Sequence, residues 1–218
     1  IGQETAALVV AEELRAHSEA GAVRLQDPLN RIGALGDSAA ATELMLGTEG
    51  TLRVTGAVAA PLVALTAAEG ISQDGGTISA DVLRAVALTG AVALAGPGHA
   101  IGALGDSGGA TGFALTTTGA LQVAGDVTSG GALSLRADSL ALEGALRGDA
   151  VQLAATQGDI AQPGGAIAAT TLRAEATGQV RLDATGNAIA AISGRAGPVF
   201  HVRSSSALTA DDIGAETV

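Results

Sequence analysis

The sequence predicts an all-β protein built as a parallel β-helix, a β-solenoid in which short strands stack coil upon coil. Three observations predict this fold: a long internal repeat, apolar residues that alternate with polar ones in short pairs, and glycine-rich turns between the pairs. Alternation with a period of two places one side chain inside and the next outside, as in a strand with one buried face. A long period assembled from such pairs is typical of a solenoid.

The repeat divides the chain into three blocks, residues 1–70, 71–159 and 160–218, which together form one β-solenoid segment. Each block opens with Ile-x-Gln and continues through Leu-Arg-Ala, a Val-x-Leu pair and a polar turn followed by isoleucine. The chain begins and stops inside this pattern. We therefore expect it to be a fragment of a longer array.

The spacing of the blocks predicts the size of one coil. The leucines of the Leu-Arg-Ala copies, Leu14, Leu83 and Leu172, are 69 and then 89 residues apart, so the second block is longer by 20. The added residues contain two more apolar pairs, which begin at Leu133 and Leu140. Since each coil of a solenoid contacts only its neighbours, an insertion is tolerated best when it adds a whole coil. This predicts coils of about 20–23 residues, three in the first block and four in the second, roughly ten in all.

Glycine-containing turns separate the predicted strands, as at Gly50, Gly75, Gly119 and Gly165. Glycine can take the positive φ that tight corners require. Short strands with such turns are also compatible with a β-sandwich or an antiparallel barrel. The long repeat and the one-coil insertion favour the β-helix.

Residues 5–16 are the one stretch whose composition favours a helix, because they are rich in alanine, leucine and glutamate. Alignment with the second block contradicts that interpretation: Val9, Ala11 and Leu14 take the places of Ile78, Ala80 and Leu83, which lie among glycines in a strand-like pattern. We predict a strand here, with a helical cap as the alternative.

Composition limits both the core and the partners. The 218 residues include 32 glycines and two phenylalanines but no cysteine, tryptophan or tyrosine, so the interior must consist of small aliphatic side chains. Without cysteine there are no disulfides, thiol nucleophiles or thiolate metal sites. The net charge of −11 argues against nucleic acid as a partner. Short apolar runs predict no membrane insertion.

These repeats resemble those of the filamentous-haemagglutinin-like exoproteins of Gram-negative bacteria. The resemblance rests on Ile-x-Gln-x-Gly-Gly-x-Ile at 71–78 and again at 160–167, and on the Gly-x-Val-x-Leu and Asn-x-Ile sequences that follow, and it extends over essentially the whole chain. It implies a right-handed coil and a protein of the cell surface or medium that serves as an adhesive or fibre-forming stalk. The secretion domain of that family has no counterpart in these residues.

Gly105-Asp106-Ser107-Gly108-Gly109 matches the nucleophile segment of chymotrypsin-type proteases, and His99 precedes it by six residues. That chemistry needs a histidine hydrogen-bonded to the serine and an aspartate that orients it. The equivalent segment in the first block begins Gly-Asp-Ser but continues with two alanines, and Asn30 and Asn187 take the place of His99. We therefore predict a repeat turn without catalytic residues and a turn-capping role for His99.

Arg147-Gly148-Asp149, at the end of the extra coil, is the tripeptide of many integrin ligands. It is the one candidate receptor-binding site, although chance occurrence in so glycine- and alanine-rich a chain is the favoured explanation. Gln3, Gln73, Gln162, Asn30 and Asn187 recur at fixed repeat positions, and we predict that they point inward and satisfy turn backbone groups.

The functional prediction is an extracellular structural solenoid, secreted or at the cell surface, that forms a rigid stalk or filament and is not an enzyme. We expect no cofactor, no metal site and no catalytic residues. End-to-end self-association into fibres and contact with a host or neighbouring cell surface are the expected partnerships. The alternatives are a receptor- or glycan-binding adhesin that uses its outer face and, more remotely, a polysaccharide-active β-helix enzyme.

Overall fold

The computed structural model describes residues 1–4 and 7–215, and the regular structure in this part of the chain consists entirely of β-strands. The strands are β1 (Val10–Leu14), β2 (His17–Ser18), β3 (Val23–Leu25), β4 (Arg31–Leu35), β5 (Ser38–Ala40), β6 (Glu43–Thr48), β7 (Thr51–Val54), β8 (Ala57–Ala59), β9 (Leu62–Ala67), β10 (Gly70–Gln73), β11 (Thr77–Ala87), β12 (Ala91–Leu94), β13 (Ala100–Leu104), β14 (Ser107–Gly109), β15 (Gly112–Thr116), β16 (Ala120–Val123), β17 (Val127–Ser129), β18 (Ala132–Ala137), β19 (Ser139–Leu142), β20 (Leu146–Ala155), β21 (Ile160–Ala161), β22 (Ile167–Ala176), β23 (Val180–Leu182), β24 (Ala188–Ala196), β25 (Phe200–Val202) and β26 (Thr209–Ala215).

Every strand pairing is parallel and joins one coil to the next. Corresponding residues of successive coils are 18 to 22 positions apart, as in Leu133 with Val151 and His17 with Ala39. The observed coil is thus slightly shorter than predicted. The stack contains about ten turns, which confirms the β-solenoid and excludes the sandwich and the antiparallel barrel.

The core is a narrow column of aliphatic side chains that point inward from successive coils. One continuous inner row follows the register from β7 to β24, and its members are all almost completely buried. The row comprises Leu52, Ile71, Val92, Phe113, Leu133, Val151, Leu172 and Ile192. Because the strands are parallel and in register, each apolar side chain of this row lies against the apolar side chain of the next coil. Each coil therefore covers the apolar face of its neighbour.

The insertion in the second block is one coil, as predicted. Strand β18 lies between β15 and β20, where Leu133 pairs with both Phe113 and Val151. Strand β19 lies in the same way between β16 and β21. The register on either side of the insertion is undisturbed, because a whole coil was added.

The N-terminal segment is a strand where the structure describes it. Strand β1 pairs in register with β4, with Leu14 opposite Leu35. The strand prediction is confirmed for Val10–Leu14; Thr5 and Ala6 of the alternative helical cap lie outside the described residues. Among the predicted glycine turns, Gly75, Gly119 and Gly165 have positive φ, whereas Gly50 does not.

The repeat block is not a whole number of coils. Three coils lead along the register from Leu14 through Leu35 and Val54 to Gln73. The repeat equivalent of Leu14 is Leu83, which lies a further half coil beyond Gln73. The first block therefore contains about three and a half coils rather than three, and equivalent residues of the first two blocks lie about half a turn apart around the solenoid.

Candidate functional site

Most of the polar side chains buried inside the solenoid belong to three equivalent clusters, one per block. Each cluster joins a glutamine, an asparagine or histidine, and a hydroxyl residue from neighbouring coils. We call them the N-terminal joint (Gln3, Asn30, Thr48), the central joint (Gln73, His99, Thr117) and the C-terminal joint (Gln162, Asn187, Ser204). Asn30, His99 and Asn187 are 0% exposed, so each must find its hydrogen-bond partners within the protein.

The two asparagine joints share one hydrogen-bond pattern. The Asn187 Oδ1 accepts from the backbone N–H of Ile167 (2.8 Å) and from Gln162 Nε2 (2.8 Å), and Asn187 Nδ2 donates to Gln162 Oε1 (2.8 Å) and to the Leu182 carbonyl (3.2 Å). Asn30 repeats all four bonds with Val9, Gln3 and Leu25. One side chain thus connects its own turn to the preceding coil.

A hydroxyl residue on the following coil completes each joint. Thr48 Oγ1 accepts from the Ile32 N–H (3.0 Å) and donates toward the Asn30 carbonyl (3.0 Å). Thr117 Oγ1 makes the equivalent bonds to Ile101 N–H and the His99 carbonyl. Ser204 Oγ accepts from the Ile189 N–H (3.1 Å). The predicted structural role of the recurring glutamines and asparagines is confirmed, and each joint extends over three coils.

The protease-like segment also serves the backbone. Ser107 is 6% exposed, and its Oγ accepts the Ala85 N–H at 3.1 Å. Ser38 does the same for the Ala16 N–H at 3.0 Å in the first block. The ring nitrogens of His99 are engaged by Ile78 and Gln73 rather than by Ser107. The sequence match therefore does not correspond to a serine–histidine pair, as predicted.

The aspartates at the outer corners cap amides of the next coil. Asp37 accepts the Ala57 N–H (2.9 Å), Asp106 accepts the Asp126 N–H (3.0 Å), and Asp126 in turn accepts the Ala145 N–H (2.9 Å). Capping by these carboxylates explains their presence at corners. Among the described residues, no group of three or more histidine or acidic side chains is placed to hold a metal ion.

Arg147, Gly148 and Asp149 lie in β20 at the bend where its pairing passes from β17 to β18. Arg147 pairs with strands on both sides, and the Asp149 N–H donates to the Gly131 carbonyl at 3.0 Å. The Arg147 and Asp149 side chains are exposed on the same outer face. Thr170 donates its hydroxyl to Asp149 Oδ1 at 3.2 Å. The tripeptide is thus accessible, and its backbone is held by hydrogen bonds to the neighbouring coils.

The outer surface carries ion pairs between neighbouring coils. Arg31 Nε lies 2.5 Å from Glu49 Oε1. Arg24 pairs with Glu43 in the same way. All of these groups are partly or largely exposed, so each pair contributes about 0–1 kcal/mol.

The inward orientation of the buried serine and threonine hydroxyls was not predicted from the sequence. Thr48, Thr117, Ser38 and Ser107 have inward-facing hydroxyls. The signal that could have found them is recurrence, because the two threonines, and likewise the two serines, are separated by the length of the first block.

Comparison with known proteins gives no family for this chain. No family model, no curated protein and no solved structure matches it. Among the residues that the structure describes, no helix is long and apolar enough to cross a membrane. What is established is a parallel β-solenoid of about ten turns, braced internally by three polar joints.

Proposed function

We propose that this chain is a rigid structural segment, a stalk or filament of an extracellular adhesin or exoprotein of a Gram-negative bacterium, without catalytic activity. The observation that carries the proposal is the uninterrupted inner row from Leu52 to Ile192, along which every coil is paired to the next. Ten coils at about 4.8 Å each make a rod about 50 Å long.

The hydrogen bonding of the buried polar groups also supports the role of a rigid structural segment. Every buried side-chain nitrogen or oxygen in the described chain has a hydrogen-bond partner. A buried polar group that is fully satisfied fixes one arrangement of the chain, because any slip of the coil would leave it unpaired at a cost of about 1–3 kcal/mol. Inward polar groups at three places along the axis therefore favour a single stacking register, which a rigid spacer requires.

The test is removal of one coil from the full-length surface protein. Residues 124–142 form one coil, because Val123 pairs directly with Leu142. A spacer is expected to keep folding, export and attachment when this coil is deleted, whereas deletion of residues 124–133, half a coil, is expected to abolish folding. If the whole-coil deletion abolishes attachment while the protein is still folded and displayed, the spacer proposal fails.

The location is tested separately. Antibody raised against the purified segment is expected to label intact cells of the producing organism. Labelling that requires permeabilised cells would contradict an extracellular position, whatever the mechanical role of the rod.

A second candidate function is receptor binding through Arg147-Gly148-Asp149. The observation that favours it is the exposure of both charged side chains on one face of β20. Asp149→Glu keeps the charge but lengthens the side chain, and it is expected to abolish saturable binding to integrin-bearing cells. Asp81→Glu, at an exposed aspartate of β11, is the control. Equal cell binding by the Asp149→Glu variant and the unaltered chain would remove this candidate.

A further inference from the structure

The central joint differs from the other two because its key residue can change its charge. His99 Nδ1 accepts the backbone N–H of Ile78 at 2.9 Å, and Nε2 lies 3.0 Å from Gln73 Oε1. A backbone N–H can only donate, so Nδ1 must present its lone pair. The hydrogen-bond network therefore assigns a neutral ring that carries its proton on Nε2.

The glutamine side of the joint fixes this arrangement. Gln73 Nε2 donates to the Gly76 carbonyl (2.5 Å) and to the Pro97 carbonyl (3.2 Å). The amide is thus oriented with its oxygen toward the ring. His99 is held between an obligatory donor on the preceding coil and an oriented acceptor, and neither can rotate to accommodate a second proton.

The charged groups on the elements packed around His99 give its ring no partner. Arg53 of β7 and Asp74 after β10 pair with each other at 3.5 Å on the outside. Asp81 and Arg84 project outward from β11. Asp138, on the coil beyond Thr118, accepts the Gly119 N–H. Burial alone lowers the pKa of His99 below its ordinary value of 6.5.

We propose that the central joint opens in acid: protonation of His99 breaks the pairing between its own coil and the coil of Ile78. The two asparagine joints stay closed under the same conditions. A second proton on the ring would place Nδ1–H against the Ile78 N–H, donor against donor. Asparagine has no such state, so Asn30 and Asn187 keep their bonds at any pH between 5 and 8.

The direction and size of the pH effect follow from the linkage between proton binding by His99 and opening of the central joint. The closed joint binds the proton less tightly than the open one, so stability is full above pH 6.5 and falls as the pH drops below that value. Each pH unit below 6.5 multiplies the opening constant about tenfold, until the pKa of the closed joint is reached.

Amide hydrogen exchange tests the proposal directly. The Ile78 and Ile167 N–H groups occupy equivalent positions in the central and C-terminal joints. Between pH 7.5 and 5.5 the protection of Ile78, corrected for intrinsic exchange, is expected to fall about tenfold relative to that of Ile167. In the His99→Asn variant, which copies the other joints, the ratio is expected to stay constant. A constant ratio in the unaltered chain would overturn the proposal.

A second measurement needs no variant and so does not depend on how His99→Asn folds. The ring resonances of all three histidines can be followed in the unaltered chain. His99 is expected to titrate below its ordinary value of 6.5, and the Ile78 amide is expected to lose protection progressively as the pH falls below 6.5. A His99 ring that titrates at 6.5 or above, or one that titrates without any change in protection at Ile78, contradicts the proposal.

Discussion

The N-terminal and central joints occupy equivalent places in the repeat, yet they are built with different chemistry. Asn30 makes four hydrogen bonds, one of them to the Leu25 carbonyl in its own turn. In the described structure His99 makes two through its side chain, and none of them goes to Leu94, the equivalent of Leu25. The amide connects two coils and also braces its own turn, whereas the ring only connects the coils.

The turns differ accordingly. The Asn30 N–H donates to the Asp27 carbonyl at 3.1 Å, and Asn187 closes its turn in the same way onto Ala184. Before His99 the chain instead passes through Pro97 and Gly98, with φ of +93° at the glycine, the pattern of a type II turn. A repeat can thus keep a joint while changing both the side chain and the turn that presents it.

The largest expected effect is the loss of an asparagine joint. Asn187→Ala leaves the Ile167 N–H buried without a partner and removes the two bonds that join Asn187 to the half-buried Gln162 amide, so we expect the free energy of unfolding to fall by about 2–4 kcal/mol. Urea unfolding measures this loss of stability. Gln152→Ala, on the exposed outer face of β20, is the control and is expected to change stability by less than about 0.5 kcal/mol. Equal losses in both variants would mean that the joint does not brace the rod.

Conversion of an asparagine joint into a histidine joint is the next largest change. Asn187→His is expected to make the C-terminal joint acid-sensitive, since burial should lower the pKa of the new ring. The folded state then binds fewer protons than the unfolded state below pH 6.5, and stability should fall by up to about 1.4 kcal/mol per pH unit. Urea unfolding at pH 7.5 and 5.5 measures the difference. Gln152→His, with an exposed ring, should show no such additional loss.

A smaller effect is expected at the buried serines. Ser107→Ala and Ser38→Ala each remove the acceptor of one buried amide, and each is expected to cost about 1–2 kcal/mol. The two losses should be equal, because the bond is the same at both places. Thermal unfolding compares them, with the half-buried Ser134 as the matched control. A loss confined to Ser107 would indicate a role for Gly105–Gly109 that the first-block copy does not share.

The smallest expected effect concerns the surface ion pairs. Arg31→Gln removes the pair with Glu49 and is expected to cost about 0–1 kcal/mol at low salt and less in high salt. Arg136→Gln is the control, because Arg136 forms no ion pair in the described chain. If the Arg31 effect survives high salt, the pair is stronger than its exposure implies.

The fold could be predicted from the sequence because its signals are local and repeated. Alternating pairs such as Leu133 and Leu135 define strands, and the insertion in the second block defines a coil. The inward orientation of Gln162 and Asn187 could be predicted for the same reason, since amides recur where a coil turns. Spacing alone was sufficient for these predictions.

The extra half coil in the first block could not be predicted, because the number of coils in a block depends on the true length of one coil. The register sets that length, and it varies along the rod: the step from Leu133 to Val151 is shorter than the step from His17 to Ala39. The inward orientation of the Ser107 and Thr117 hydroxyls was not predicted either, because recurrence marks these positions as special without showing which way the side chains point. Whether a small polar side chain at a corner faces the core or the solvent is decided by the backbone of that corner, which composition does not specify.

The extra half coil in a block also affects how such a rod can evolve. The register traced from Ile78 leads back through Val58 to Ser38, about half a coil from Asn30, so the central joint lies nearly opposite the N-terminal one. The register traced back from Ala188, next to Asn187, arrives at Gly47, close to Glu49, whose N–H bonds to the Asn30 carbonyl. Gene duplication of a whole block therefore rotates the segment that follows the block by about half a turn, to the opposite side of the rod. A second duplication rotates that segment back to its original side. Gain of a single coil lengthens the rod without changing the direction in which its next segment faces.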